Sequence, residues 1–101
     1  MNYIKRELKR LARKYPSLKE EYTQLIETLA DEPTLGMPIG NDCYKIRLSI
    51  ASKGKVKSGG ARVITYVYVA HETVFLLSIF DKSERSNISD NEILQLLKEI
   101  K

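Results

Sequence analysis

Residues 43–50, CYKIRLSI, hold the key to the fold. Tyr44, Ile46, Leu48 and Ile50 alternate with Cys43, Lys45, Arg47 and Ser49. A period of two is that of a β-strand with one face buried, and here the other face is basic. Two further strand-like runs follow, 61–70 and 73–80, rich in β-branched and aromatic residues, with Ala70-His71-Glu72 as the turn between them. On the first of these, Arg62, Tyr66 and Tyr68 share one parity and Val63, Val67 and Val69 the other.

Upstream of the strands, residues 3–15 carry an apolar stripe of Ile4, Leu8, Leu11, Ala12 and Tyr15, the spacing of an amphipathic helix. Tyr15-Pro16 breaks it. Ser17 with Glu20 reads as a capping box that starts a second helix, with the stripe Leu18, Tyr22, Leu25, Ile26 and Leu29. Helices joined this tightly form an antiparallel hairpin. Residues 34–42, with Gly36, Pro38, Gly40 and Asn41-Asp42, read as a loop. After the strands, Ser89 and Glu92 form another capping box, and Ile93, Leu96, Leu97 and Ile100 make the stripe of a last helix.

The expected fold is α+β, a single domain over 1–101. An N-terminal helix hairpin packs on an antiparallel three- to four-stranded sheet, with a C-terminal helix. The hairpin should cover the face bearing Tyr44, Ile46 and Leu48. The opposite face should then lie open and show Lys45, Arg47, Arg62, Tyr66 and Tyr68 together.

With 101 residues, a chain can bury a core without disulfides, and Cys43 is its only cysteine. No apolar run is long enough for a membrane span, and no signal peptide is visible, which makes the cytoplasm the expected location. The net charge of +4 is concentrated in two places. Residues 1–14 hold Lys5, Arg6, Lys9, Arg10, Arg13 and Lys14 against Glu7 alone. Residues 43–62 hold Lys45, Arg47, Lys53, Lys55, Lys57 and Arg62 with no acid. Clusters of this kind attract polyanions or an acidic protein.

Ordinary catalytic constellations are missing. His71, the single histidine, falls at a turn, and the chain has neither metal-ligand spacing nor a Walker-type loop, so no metal or cofactor is expected. The informative segment is SKGKVKSGGAR, residues 52–62. It brings Lys53, Lys55, Lys57 and Arg62 together, with glycines that let backbone N–H groups approach a phosphate. A flexible basic hairpin would need no aromatic neighbours, yet Tyr66 and Tyr68 lie on the strand leaving it. Cations beside aromatic rings suit unstacked RNA bases and their phosphates.

The run from Tyr44 to Glu84 resembles the toxin subunits of the RelE/ParE superfamily, most closely its HigB-type branch. Its marks are the lysine–glycine segment, Gly-Gly-x-Arg at 59–62 and LLSIFDKSE at 76–84. LKRLARKYPSL at 8–18 and NISDNEILQLLKE at 87–99 resemble the same branch. The resemblance implies an endoribonuclease (an mRNA interferase) that acts on messenger RNA in the ribosomal decoding site. It also implies a cognate antitoxin, with operator DNA bound only through the toxin–antitoxin complex. Similar chains carry tyrosine at the position of Phe80 and glycine at that of Val56, and they begin with a short strand for which little chain is present here.

Metal-free RNA cleavage needs a base for the 2′-OH, a counter-charge for the phosphorane and an acid for the leaving 5′-oxygen. Crowded lysines lose protons more readily than isolated ones, so one of Lys53, Lys55 or Lys57 can be the base. Arg62 stays charged and stabilises the phosphorane. Lys82 is the candidate acid or second phosphate clamp. Lys45, Arg47, Tyr66, Tyr68 and Arg85 form the expected RNA-binding set. Two other functions fit such a sequence: a toxin on this scaffold that acts on a protein target such as DNA gyrase without cutting RNA, and a non-catalytic nucleic-acid-binding module.

Overall fold

The computed structural model describes residues 2–53 and 60–100, without the side chains at 2, 3 and 53. The elements are α1 (Asn2–Lys14), α2 (Leu18–Asp31), β1 (Met37–Gly40), β2 (Cys43–Leu48), β3 (Ala61–Tyr68), β4 (Thr73–Asp81) and α3 (Asp90–Ile100). Short 3-10 turns occupy Ala51–Lys53 and Val69–His71. The four strands form one antiparallel meander in the order β1-β2-β3-β4.

Both N-terminal helices lie on one sheet face, as their stripes require. Ile4, Leu11, Tyr15, Leu18, Leu25 and Leu29 join Ile46, Ala61, Val63 and Ile79 in one buried cluster. Leu48 packs at its edge, and Tyr44 is half-buried.

Three expectations are corrected. First, residues 37–40 are an edge strand rather than loop. Asn41 and Asp42 both take positive φ, 56° and 59°, the two-residue turn that matches the twist of paired strands. Pro38 is tolerated because an edge strand leaves one side unpaired. Second, Ser17 does not close a capping box with Glu20. Its backbone is already helical (φ −74°, ψ −13°), so its hydroxyl does not reach back to the helix N–H groups. Third, the face opposite the helix hairpin is not open along its length. α3 covers half of it: Cys43, Ile64, Tyr66, Leu77 and Phe80 form a second core with Ile88, Ile93 and Leu97. The stripe of α3 needed an apolar partner, and with the other face already taken by α1 and α2 this was the surface available. The Ser89–Glu92 capping box forms as expected, the Glu92 N–H donating to Ser89 Oγ at 3.2 Å.

Candidate active site

The register of β2, β3 and β4 builds the site. Arg47 stands directly opposite Arg62, and Arg62 in turn opposite Phe80. Directly opposed residues share a sheet face, so one row across three strands carries two guanidinium groups and an aromatic ring. Lys82 follows Phe80 by two residues, just past the end of β4. Arg47, Arg62, Lys82 and Lys45 line one pocket of about 440 Å³ with Leu35, Gly36, Met37 and Ile46. Among the described residues no acidic side chain lines it.

Arg62 is 7% exposed. Burial pulls its guanidinium below the ordinary arginine range, and the charge of Arg47 adds to the effect. Like charges directly opposed across a ladder are destabilising. A bound anion would offset the repulsion between the two guanidinium groups. Gly36 supports the approach of the walls: its φ is +103°, and a Cβ there would stand 2.6 Å from the Lys45 carbonyl oxygen.

The chain after β4 is held tightly. Lys82 N–H donates to the Gly60 carbonyl at 3.0 Å, and Lys82 Nζ to the Ser86 carbonyl at 2.8 Å. Arg85 lies over the Phe80 ring at 5.2 Å and donates to Glu92 at 2.6 Å, which holds the Glu92 carboxyl below the usual carboxylate range.

The expected site residues separate into groups. Lys45, Arg47, Arg62 and Lys82 converge. Arg85 is engaged beside them by Glu92. Tyr66 is 9% exposed beneath α3, where an open face was expected, because its ring completes the second core. Tyr68 is exposed but sits six residues along β3 from Arg62, roughly 20 Å at the strand rise. Its ring meets His71 edge-on at 4.6 Å. Lys55, Lys57 and Val56 lie outside the described residues, and of Lys53 only the backbone is described. The flanks of that segment, Lys53 and Gly60, leave from the end of the sheet that carries Arg47 and Arg62.

Sequence reasoning missed two supports. Asp81 is fully buried and accepts from Tyr15 Oη at 2.6 Å and from Ser83 at 2.7 and 2.9 Å. Ser17, freed from its helix, accepts the Ser52 N–H at 2.9 Å, while Glu21 accepts that of Ala51 at 2.8 Å. These bonds tie the root of the basic segment to the α1–α2 corner. The Asp81-x-Ser83 pair was a visible signal, since Asp commonly bonds the N–H two residues on. Among the described residues no three His, Cys, Asp or Glu side chains gather into a metal site. Among the described residues no helix is long and apolar enough to cross a membrane.

A helix hairpin on a four-stranded meander, a third helix on the other face and a pocket lined by Lys45, Arg47, Arg62 and Lys82 define a small α+β protein with a cationic pocket. The solved structure of a double arginine-to-alanine mutant of the E. coli toxin RelE in the free state shares the fold. It has 22% identity and a TM-score of 0.53, with each chain covered in full. The family described as the RelE toxin of the RelE / RelB toxin-antitoxin system matches residues 2–101, and the chain belongs to that family. The match defines the family and not a branch within it.

Proposed function

We propose that this toxin is a metal-independent endoribonuclease that cuts messenger RNA, on the ribosome, and so arrests translation in the cytoplasm. The observation that carries the reading is the opposed pair Arg47 and Arg62, one of them buried, in a pocket shared with Lys82 and Lys45 and free of acids among the described residues. Like charges directly opposed across a ladder repel each other. A phosphodiester turning into a dianionic phosphorane is a charge that two neighbouring guanidinium groups can stabilise. In this scheme a lysine of the 53–57 segment takes the 2′-OH proton, and the 2′-oxygen attacks phosphorus. Arg62 holds the added negative charge, Arg47 and Lys45 grip flanking phosphates, and the Lys82 ammonium gives its proton to the departing 5′-oxygen. The products are a 2′,3′-cyclic phosphate and a 5′-hydroxyl. Phe80 brings no phenol to this chemistry, so proton transfer falls to the lysines.

Family membership supports a cognate antitoxin, and the basic pocket suits an acidic or mixed-charge segment of it, with binding that weakens as salt rises. In vitro translation with primer extension on the message tests the function. Cuts within codons are the expected result. Intact message with normal translation would point to a protein target such as gyrase, and slowed translation without cuts to a binding module.

A further inference from the structure

The residue the scheme leaves unused is Asp81. A carboxylate with no exposed surface is costly unless its oxygens are satisfied. Here one oxygen, Oδ2, accepts from the Tyr15 hydroxyl at 2.6 Å, with Lys14 Nζ 3.9 Å away. The other, Oδ1, accepts both the N–H and the hydroxyl of Ser83. The Asp81 backbone carbonyl accepts from the N–H groups of Glu84 and Arg85, both at 3.0 Å. The bonds to Ser83, Glu84 and Arg85 shape one short turn, and Lys82 is its first residue. Side chain and main chain of a single residue thus fold the turn from its buried side, while Lys82 lines the pocket on the other side. Tyr15, directly after α1 and 66 residues away in sequence, closes the arrangement.

We propose that Asp81, braced by the Tyr15 hydroxyl, is a positioning residue that fixes Lys82 at the rim of the cationic pocket that Arg62 also lines. It does not touch the substrate. It acts through Lys82, and the inference rests on the ribonuclease reading for its effect on rate.

Two conservative variants separate positioning from mere stability. Tyr15→Phe keeps the ring in the core and removes only the donor. Asp81→Asn keeps shape and removes the charge. Single-turnover message cleavage at saturating toxin is measured for each, alone and combined with Lys82→Ala, alongside the unfolding midpoint. Each single variant is expected to lose roughly tenfold to a hundredfold in rate, the scale for a displaced catalytic group. In the Lys82→Ala background the same changes are expected to cost almost nothing further, because residues acting as one unit are not additive. Losses that multiply in full, or a Tyr15→Phe and an Asp81→Asn variant both at wild-type rate, would overturn the proposal. If the wild-type protein itself leaves message intact, the ribonuclease reading fails, and hydrogen exchange then decides the positioning role. Asp81→Asn is expected to speed exchange at the Lys82, Glu84 and Arg85 amides and to leave those of β2 unchanged. Uniform acceleration, or no change at the turn, would refute it.

Discussion

Tyr66 and Arg62 sit on the same strand, at the same parity, 9% and 7% exposed. Their burial is nearly equal and its meaning opposite. At the Tyr66 end, α3 supplies Ile93 and Leu97, and the ring is in the surroundings an aromatic side chain prefers. At the Arg62 end, the cross-strand neighbour is Arg47, and the guanidinium is desolvated beside a like charge. One end of the face adds apolar burial to the fold, and the other sets two like charges opposite each other.

The comparison can be broken at either end. The largest effect is expected at the covered end. Tyr66→Ala should destabilise the protein by about 3 kcal/mol, the scale for emptying a buried aromatic site. Tyr68→Ala, on exposed surface, should cost little. Urea unfolding of both variants checks this. Equal small losses would mean that α3 does not seal this end.

Next comes the open end. Arg62→Ala should lower single-turnover cleavage roughly a hundredfold or more, the loss expected when one preorganised counter-charge is removed. Wild-type rates in this variant would remove the pocket from the chemistry. The same face shows how much was legible in advance. Alternation alone put Arg47 and Arg62 on one side and Ile46 and Val63 on the other, because side-chain parity is a local property of a strand. Alternation says nothing about what covers a face. The α3 stripe was visible, but either sheet face could have received it, so Tyr66 was expected in the open. The Tyr15 half of the Asp81 support was invisible for a related reason: Tyr15 lies 66 residues away, just past α1, and only the folded chain brings the two together. β1 escaped because four residues holding a proline and ending in a glycine carry almost no strand pattern of their own; pairing with β2 makes the strand.

A smaller effect is expected at the turn beside the pocket. Arg10 donates to Glu84 at 2.7 and 3.2 Å and Lys14 at 3.2 Å, and the Arg10 contact leads in holding the Glu84 carboxyl below its ordinary 4.5. A lowered folded-state value gives stability that is present above the ordinary value and lost as pH falls through the folded one. Glu84→Gln should therefore weaken the fold at neutral pH. Its side chain is about one-third exposed, so the loss should stay below about 1 kcal/mol and shrink in high salt. The difference from wild type should close progressively below pH 4.5. A constant difference across the acid range would show that packing, not charge, is at work.

Arg47 tests the comparison more finely, because the two readings of its position predict opposite signs. Replacing it with glutamine removes one of two opposed cations, so Arg47→Gln should raise unfolding free energy by about 0.5 kcal/mol. RNA binding should weaken, and its salt slope should fall by about one phosphate contact. A variant that loses both stability and affinity would make the pair structural.

The smallest effect is expected at His71. Imidazole is the ordinary acid and base of RNA cleavage, so the single histidine invites assignment to the chemistry. Its position argues otherwise. It ends the Val69–His71 turn, exposed, with its ring against Tyr68, while Arg62 and Lys82 lie at the opposite end of β3 and β4. A side chain roughly 20 Å away along the strand cannot come within hydrogen-bond reach of the same scissile bond. His71→Ala should leave the single-turnover rate and the shape of the pH–rate profile unchanged. A large loss of rate, or a limb of the profile that vanishes on substitution, would move the site to the other end of the sheet.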